Sequence, residues 1–289
     1  MARKITRRRF IAGATAAAGT VCSASGPAPA MEDAPAAGAG GIPLVDFHVH
    51  RDNTTLEKLL EISKARGVKF GIVEHAGKKE LKYPIIYSTD EELKAYIASL
   101  EGKPVYKGVQ AEYLDWMTCF SKEAVAQLDY VLSDAMTIRE KDGSWAKMWE
   151  KGFVIGEPQQ FMDRYTDFNV EVMAAEPLDI LANATWLPGP LAKDYDTLWT
   201  PARMRKIVDA ALKYKVAIEI NSQYCVPHLP FLKLAKEAGV KFSFGSNIRG
   251  PDVGKLDYCV EMIKKVDLSR ADIFTPAPPG KKPIQVRRF

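Results

Sequence analysis

The 289-residue sequence lacks long hydrophobic runs and closely spaced cysteine pairs, and it lacks an excess of one charge once its N-terminus is set aside. After the first 30 residues no stretch approaches the ~18 apolar residues that a membrane-spanning helix needs. The four cysteines form no Cys-x-x-Cys motif, which argues against a zinc ribbon, a dithiol redox site or a disulfide framework. Residues 1–30 hold five of the forty basic residues and no acid, so the remainder carries 35 basic and 36 acidic residues. That balance gives no attraction to nucleic acid or anionic membrane, and we expect neither as a partner.

The N-terminus has the features of an export signal. A basic cluster is followed by a weakly apolar segment over residues 10–21 and by Ala28-Pro29-Ala30, the small-x-small pattern that a signal peptidase recognises. The order Thr6-Arg7-Arg8-Arg9-Phe10-Ile11 resembles the twin-arginine motif, whose carriers are exported folded. An ordinary signal for unfolded export and lipidation at Cys22 are the alternatives.

The sequence predicts two segments ahead of the globular part. Residues 1–30 are expected to be a twin-arginine signal peptide, and residues 31–41 an Ala/Gly/Pro linker. The mature protein is therefore expected to be periplasmic or extracellular.

From residue 42 onward, short apolar runs rich in β-branched residues alternate with amphipathic stretches of helical period. The predicted strands are 43–48, 68–74, 105–112, 129–135, 178–183, 216–221 and 241–245. The predicted helices are 55–66, 89–100, 121–127, 158–175, 200–213, 229–238 and 255–265. Strict alternation implies a parallel sheet buried on both faces, and seven units favour a closed barrel. A doubly wound open sheet is the competitor, but it usually carries a Gly-rich loop after its first strand, where this sequence has His-Val-His.

The first predicted strand ends in Asp46-Phe47-His48-Val49-His50. Alternate residues on a strand share a face, so Asp46, His48 and His50 are expected to point together toward the barrel mouth. Two imidazoles at i and i+2 on the carboxyl end of a barrel strand commonly hold a divalent metal. Structural roles in the core or on the surface are the alternative for one or both histidines.

Six further segments carry polar residues at the ends of predicted strands. In order they are Gly-Ile-Val-Glu-His (71–75), Gly-Val-Gln-Ala-Glu-Tyr (108–113), Asp-Tyr-Val-Leu-Ser-Asp-Ala-Met (129–136), Asp-Ile-Leu-Ala-Asn (179–183), Glu-Ile-Asn (219–221) and Gly-Ser-Asn-Ile-Arg (245–249). With the first strand they resemble the successive motifs of the PHP (polymerase and histidinol phosphatase) superfamily, in its histidinol-phosphatase-like branch, across roughly residues 43–265. The resemblance implies a distorted (β/α)7 TIM-like barrel of the PHP type over residues 42–275, followed by a Pro/basic tail over 276–289.

Family members bind up to three divalent metals at the barrel mouth and use them to activate water and bind a phosphoester. Carried over by position, the resemblance implies metal ligands at His48, His50, Glu74 and His75. The residues that replace family ligands are Gln110, Met136, Asn183, Asn247 and Arg249. Neutral amides and a permanent cation suit a site that has lost several dications. We therefore expect at most one divalent ion (Zn, Mn or Fe) or none, held by His48 and His50.

The remaining candidates concern catalysis and ligand contact. Arg249 can grip a carboxylate or phosphate with its planar fork, or it can form a structural pair with Glu74 or Glu219. Glu112 is either a substitute carboxylate or a structural ion pair, and His75 is the third catalytic candidate. The other residues expected to line the site are Asp46, Gln110, Met136, Asn183 and Asn247. His228 is expected to be a surface or capping residue.

The resulting functional expectation is an exported PHP-superfamily protein with an eroded metal site, a hydrolase by ancestry. Its inherited reaction is metal-assisted hydrolysis of a small phosphoester, and its partner is a small anionic molecule. The alternative is a metal-free protein that binds a small molecule in the same mouth. All five tryptophans follow predicted strand ends, where they either contact a ring-bearing ligand or simply roof the barrel.

Overall fold

The structure, a computed structural model, describes residues 41–140, 142–175 and 177–278. Its strands are β1 (Val45–Val49), β2 (Lys69–Ala76), β3 (Ile86–Tyr87), β4 (Val105–Ala111), β5 (Tyr130–Ser133), β6 (Thr137–Arg139), β7 (Trp145–Lys147), β8 (Ile180–Leu181), β9 (Ala217–Asn221) and β10 (Phe242–Gly245). Its α-helices are α1 (Leu56–Arg66), α2 (Asp90–Ser99), α3 (Lys122–Val125), α4 (Pro158–Ala174), α5 (Gly189–Ala192), α6 (Tyr195–Leu198), α7 (Pro201–Tyr214), α8 (Leu229–Ala238) and α9 (Asp257–Val266).

Seven strands form a parallel sheet in the order β1-β2-β4-β5-β8-β9-β10. The sheet is nearly closed, because the residues that follow β10 contact β1: the Asn247 N–H donates to the His48 carbonyl at 3.1 Å. Two additions lie outside this ring, the short β3 beside β2 and an antiparallel hairpin of β6 and β7. The carboxyl ends of all seven ring strands therefore meet at one mouth.

The seven predicted strands and seven predicted helices are all present, with ends shifted by a few residues. Helix starts follow the capping residues: the side chains of Thr89 and Thr200 accept from the N–H groups of Glu92 and Arg203. The structure adds β3, the β6–β7 hairpin, α5 and α6, none of which we predicted. Each of these is two to four residues long, too short to show a hydrophobic period.

The other predicted segments fall mostly outside the described residues. The signal peptide (1–30) and nearly all of the linker (31–41) lie there, as does the tail from residue 279. These assignments stay predictions. Among the described helices, none combines the length and apolar character needed to cross a bilayer.

Large aromatic side chains fill the barrel interior beneath the mouth. Tyr130 on β5 reaches across to β1, where its hydroxyl donates to the Phe47 carbonyl at 2.8 Å and its ring packs edge-on against the Phe47 ring. Gly108 on β4 makes room for it, because a Cβ there would lie 2.7 Å from Cε1 of Tyr130. Phe274 closes the cluster with its ring centroid 5.4 Å from that of Phe47. The apolar layer leaves the carboxyl end of the barrel to polar side chains.

Candidate functional site

A β-bulge in β1 rearranges the residues that we expected to share one face. Pairing with β2 shifts register between Asp46 and Val49, so side chains no longer alternate strictly. Asp46 is fully buried, and its Oδ1 accepts from the N–H groups of Ser246 and His48 instead of facing the cavity. Asp46 therefore ties β1 to the segment after β10, and the expectation that it lines the site with His48 and His50 stays a prediction.

His48 is held by protein contacts at both ring nitrogens. Nδ1 lies 2.7 Å from Oε1 of Glu219, and Nε2 lies 3.3 Å from Oε1 of Gln110. Burial alone would raise the pKa of Glu219, but the His48 ring and hydrogen bonds to the carboxylate outweigh it and lower that pKa. The Glu219 carboxylate on Nδ1 therefore fixes the orientation of the His48 ring, and the prediction that His48 binds a metal stays a prediction.

Gly245 on β10 permits the contact between His48 and Glu219. A Cβ at this position would overlap the Glu219 carboxylate and lie 2.9 Å from the His48 Cβ. The glycine is therefore required by close packing inside the barrel mouth.

A different set of side chains has the geometry of a metal site. One ligand atom each from His50, Asp52 and His75 lie within 4.8 Å of one another. His50 is 2% exposed, and neither of its ring nitrogens has a hydrogen-bond partner among the described residues. Burial, followed by the positive charge of Arg249, lowers the pKa of His50 well below its ordinary value. The ring is thus kept neutral, the form that binds a cation.

Glu112 orients His75 instead of reaching the cavity itself. Its Oε1 lies 2.7 Å from Nδ1 of His75, and its Oε2 accepts from the Tyr83 hydroxyl at 2.9 Å. The Tyr83 ring stacks on the His75 ring with centroids 3.7 Å apart. A carboxylate on one nitrogen of a histidine is the usual way to fix the other nitrogen toward a metal. The Glu112 carboxylate thus contacts His75 and Tyr83, and the two alternatives for its role stay predictions.

Glu74, predicted as a ligand, lies outside the metal group. Its Oε1 accepts from the backbone N–H of Arg51 at 3.2 Å and from the Arg51 Nε at 2.8 Å. Arg51 also donates to the Tyr87 hydroxyl at 2.8 Å, which fixes the pair against β3. Arg51 thus occupies Oε1, whereas Oε2 is buried and has no hydrogen-bond partner among the described residues, so Glu74 as a ligand stays a prediction.

Arg249 pairs with neither Glu74 nor Glu219, the two partners that we considered. Its Nε donates to Oδ2 of Asp52 at 3.0 Å, and its Nη1 donates to the Asn247 carbonyl at 3.0 Å. Asp52 was missed in the sequence because it follows the quoted motif by two residues. Its spacing from His50, the same i, i+2 spacing that singled out the histidines, was the available signal.

Outside the metal group, the carboxylates of Asp134 and Glu219 accept hydrogen bonds from neighbouring amide groups. Asp134 Oδ2 accepts from Nδ2 of Asn183 at 2.9 Å and from Nε2 of Gln110 at 3.4 Å. The Asn183 N–H donates to Oε2 of Glu219 at 2.7 Å. Asn183 has a φ of 49°, a left-handed conformation that asparagine tolerates well. Burial raises the pKa of Asp134 to about 6.

These residues surround a cavity of about 260 Å³ at the mouth. Its lining comprises Asp52, His75, Tyr83, Pro84, Gln110, Asp134, Met136, Trp149, Asn183, Tyr224, Asn247 and Arg249. Six of the predicted site residues thus line the cavity. His48, His50 and Glu112 do not line it and are buried. Asp134, Tyr83 and Tyr224 were not singled out in the sequence.

The tryptophans and His228 divide between packing and exposure. Trp116 and Trp199 are buried, and Trp145 stacks on Tyr113 with centroids 4.3 Å apart. Trp149 and Trp186 remain open to cavities at the mouth. His228 precedes α8, where it contacts Asp196 at 2.9 Å on the surface, and its side chain caps no helical N–H.

No family model matches the sequence, and no curated protein matches it significantly. Among solved structures, it is similar to a histidinol phosphate phosphatase from Lactococcus lactis subsp. lactis Il1403, crystallised as a complex with zinc, L-histidinol and phosphate. The superposition has a TM-score of 0.55 at 15% identity and covers 84% of this chain and 99% of that chain. With its nearly closed ring of parallel strands, the protein has a distorted (β/α)7 TIM-like barrel of the PHP type.

Proposed function

We propose that this protein is a hydrolase of a small phosphoester, assisted by one divalent ion that His50, Asp52 and His75 hold. His50 carries the proposal, because its ring is buried and yet both nitrogens lack hydrogen-bond partners in the described chain. Leaving a buried polar group unsatisfied costs about 1–3 kcal/mol. Coordination of a cation removes part of that cost, and the adjacent carboxylate and second imidazole complete a donor set suited to Zn, Mn or Fe.

The ion, when bound, would supply Lewis-acid activation of a water molecule and of a phosphoryl oxygen. The remaining tasks belong to residues of the chain. Arg249 presents guanidinium N–H groups to the cavity and would bind the anionic group of the ester. Asp134, with its pKa raised to about 6, would hold a proton that it can give to the leaving oxygen. Glu112 would keep His75 in place.

The donor groups available at the mouth support a limit of one bound ion. Gln110, Met136 and Asn183 are weak donors for a hard or borderline cation, and the two amides already donate to Asp134. Arg249 lies 3.0 Å from Asp52, so its charge opposes a second cation in the same mouth. The zinc and phosphate in the structural neighbour are consistent with an anion-binding, metal-assisted ancestry.

A second candidate is a metal-free protein that binds a small anion. It is favoured by the ion pair between Arg249 and Asp52, which already neutralises the one cavity-lining carboxylate of the metal group. The same mouth would then bind its ligand through Arg249 and the aromatic residues at the rim.

The discriminating experiment is elemental analysis of the mature protein after loading with zinc or manganese, combined with assays on small phosphomonoesters. We expect about one equivalent, readily removed by chelator, and hydrolysis that depends on it. His50→Ala should lose both the ion and the activity. His228→Ala removes a surface histidine that is also paired with a carboxylate and should retain both. Retention of metal and activity by His50→Ala would contradict the site, and a wild-type protein without metal or turnover would favour the binding protein.

A further inference from the structure

A second cavity of about 300 Å³ lies beside the mouth and shares Trp149 with the first. It is formed by the loop after β7 and the loop after β8. Its lining comprises Met148, Trp149, Glu150, Lys151, Gly152, Phe153, Ile155, Trp186, Pro188, Gly189 and Pro190. The two cavities therefore adjoin at one indole ring.

The walls of this second cavity combine aromatic and proline surfaces with the polar side chains of Glu150 and Lys151. Trp149 is 46% exposed, which is unusual for so large an aromatic side chain and leaves its surface available to a ligand. Trp186 is half-buried and lies edge-on to Tyr224 with centroids 6.0 Å apart, and Tyr224 lines the first cavity. Aromatic rings thus run without interruption from the anion-binding mouth into the second cavity.

Lys147, an ionic group near the junction, contacts aromatic rings and a carboxylate. Lys147 lies over the Tyr83 ring and over the Trp149 ring, with Nζ 4.9 Å and 5.9 Å from the two centroids. Glu150 lies 3.7 Å from Lys147 and is mostly exposed. A pyranose would need several fixed hydrogen-bond partners, whereas a flat apolar ring needs only the aromatic and proline surfaces that are present.

We propose that the cleft between Trp149 and Trp186 binds an uncharged aromatic ring of the substrate while Arg249 binds its anionic group. The substrate class is therefore an aryl or arylalkyl phosphoester. This inference rests on the proposed function only for the position of the anion, and ring binding itself can be measured without turnover or metal.

The test uses phenylphosphonate and methylphosphonate, which share the anionic group and cannot be hydrolysed at a P–O–C bond. Calorimetric titration of the protein should give an affinity for phenylphosphonate about tenfold higher or more, as burial of a ring predicts. Trp186→Ala should abolish most of this difference and leave methylphosphonate binding unchanged, and Trp186→Phe should restore it. Leu212→Ala removes an exposed apolar side chain on α7 and should behave as wild type.

The outcomes separate the two proposals. Equal affinities in the wild-type protein would overturn the cleft and leave the metal-assisted hydrolase intact. Tighter binding of a sugar phosphate than of phenylphosphonate would also overturn it, in favour of a polar ring. Absence of binding by both phosphonates would overturn the cleft and the Arg249 contact together. Should Trp186→Ala unfold, Trp149→Ala is the second variant, and retention of the full preference there would count against the cleft.

Discussion

Asp52 is shared between two positive charges in the proposed site. It belongs to the metal group, and its Oδ2 also accepts from Arg249. The guanidinium therefore partly neutralises the carboxylate on which an ion would depend, and the ion would weaken the attraction between Asp52 and Arg249. This competition explains at the level of single charges why we expect metal affinity to be modest and Arg249 to be available to an anion once the ion is bound.

The raised pKa of Asp134 predicts how the stability of the protein depends on pH. Its pKa is about 6 in the folded protein and 3.8 in the unfolded chain, so the folded state binds the proton more tightly. Its stabilising contribution is complete below pH 3.8 and is lost as the pH rises toward 6 and above. Because Asp134 lines an open cavity, solvent screens its charge, and we expect the protein to lose about 1–2 kcal/mol of stability by pH 8.

Asp134→Asn removes this titration. The free energy of unfolding of this variant minus that of wild type should therefore be about 1–2 kcal/mol larger at pH 8 than at pH 4. Urea denaturation at both values measures the difference, and constant effects of lost hydrogen bonds cancel. Asp209→Asn, on the exposed face of α7, is the matched control. A relative stability of Asp134→Asn that does not change with pH would contradict the raised pKa.

At the scale of elements, the apolar periodicity predicted the seven strands and seven helices because each carries a repeated pattern several residues long. The bulge in β1 was not predictable in this way, since it changes backbone pairing without changing residue type. For the same reason the partners of Arg249, Glu74 and His48 were not predictable. Each has several acidic or amide residues within reach of the mouth, and side-chain geometry decides among them.

The carboxyl ends of β9 and β10 give a prediction about packing. Gly245→Ala would push a methyl group into the Glu219 carboxylate and against His48, because a Cβ there has no space. Overpacking of this kind typically costs about 1–3 kcal/mol, and separation of the buried His48–Glu219 pair adds to it. We expect a lower unfolding midpoint for this variant. Gly189→Ala is the control, because a Cβ at Gly189 meets no atom within 4 Å. Equal stability of the two variants would show that the residues around Gly245 can shift to accommodate a Cβ.

At the scale of the whole molecule, export remains a proposal that follows from the sequence. We expect residues 1–30 to be absent from the mature protein and export to depend on the arginine pair. Replacing Arg7 and Arg8 by lysine keeps the charge and should leave precursor inside the cell, as fractionation would measure. Arg3→Lys makes the same chemical change outside the motif and should be exported normally. Normal export of the double variant would reject the twin-arginine route and favour an ordinary signal.

The aromatic layer beneath the mouth also blocks passage of a ligand through the barrel interior. Tyr130 and Phe47 span the barrel between β5 and β1 and form an apolar floor below the mouth. In the proposed hydrolase a ligand that enters beside Arg249 would not pass through the barrel, so both products of a cleaved ester would leave on the side of the mouth.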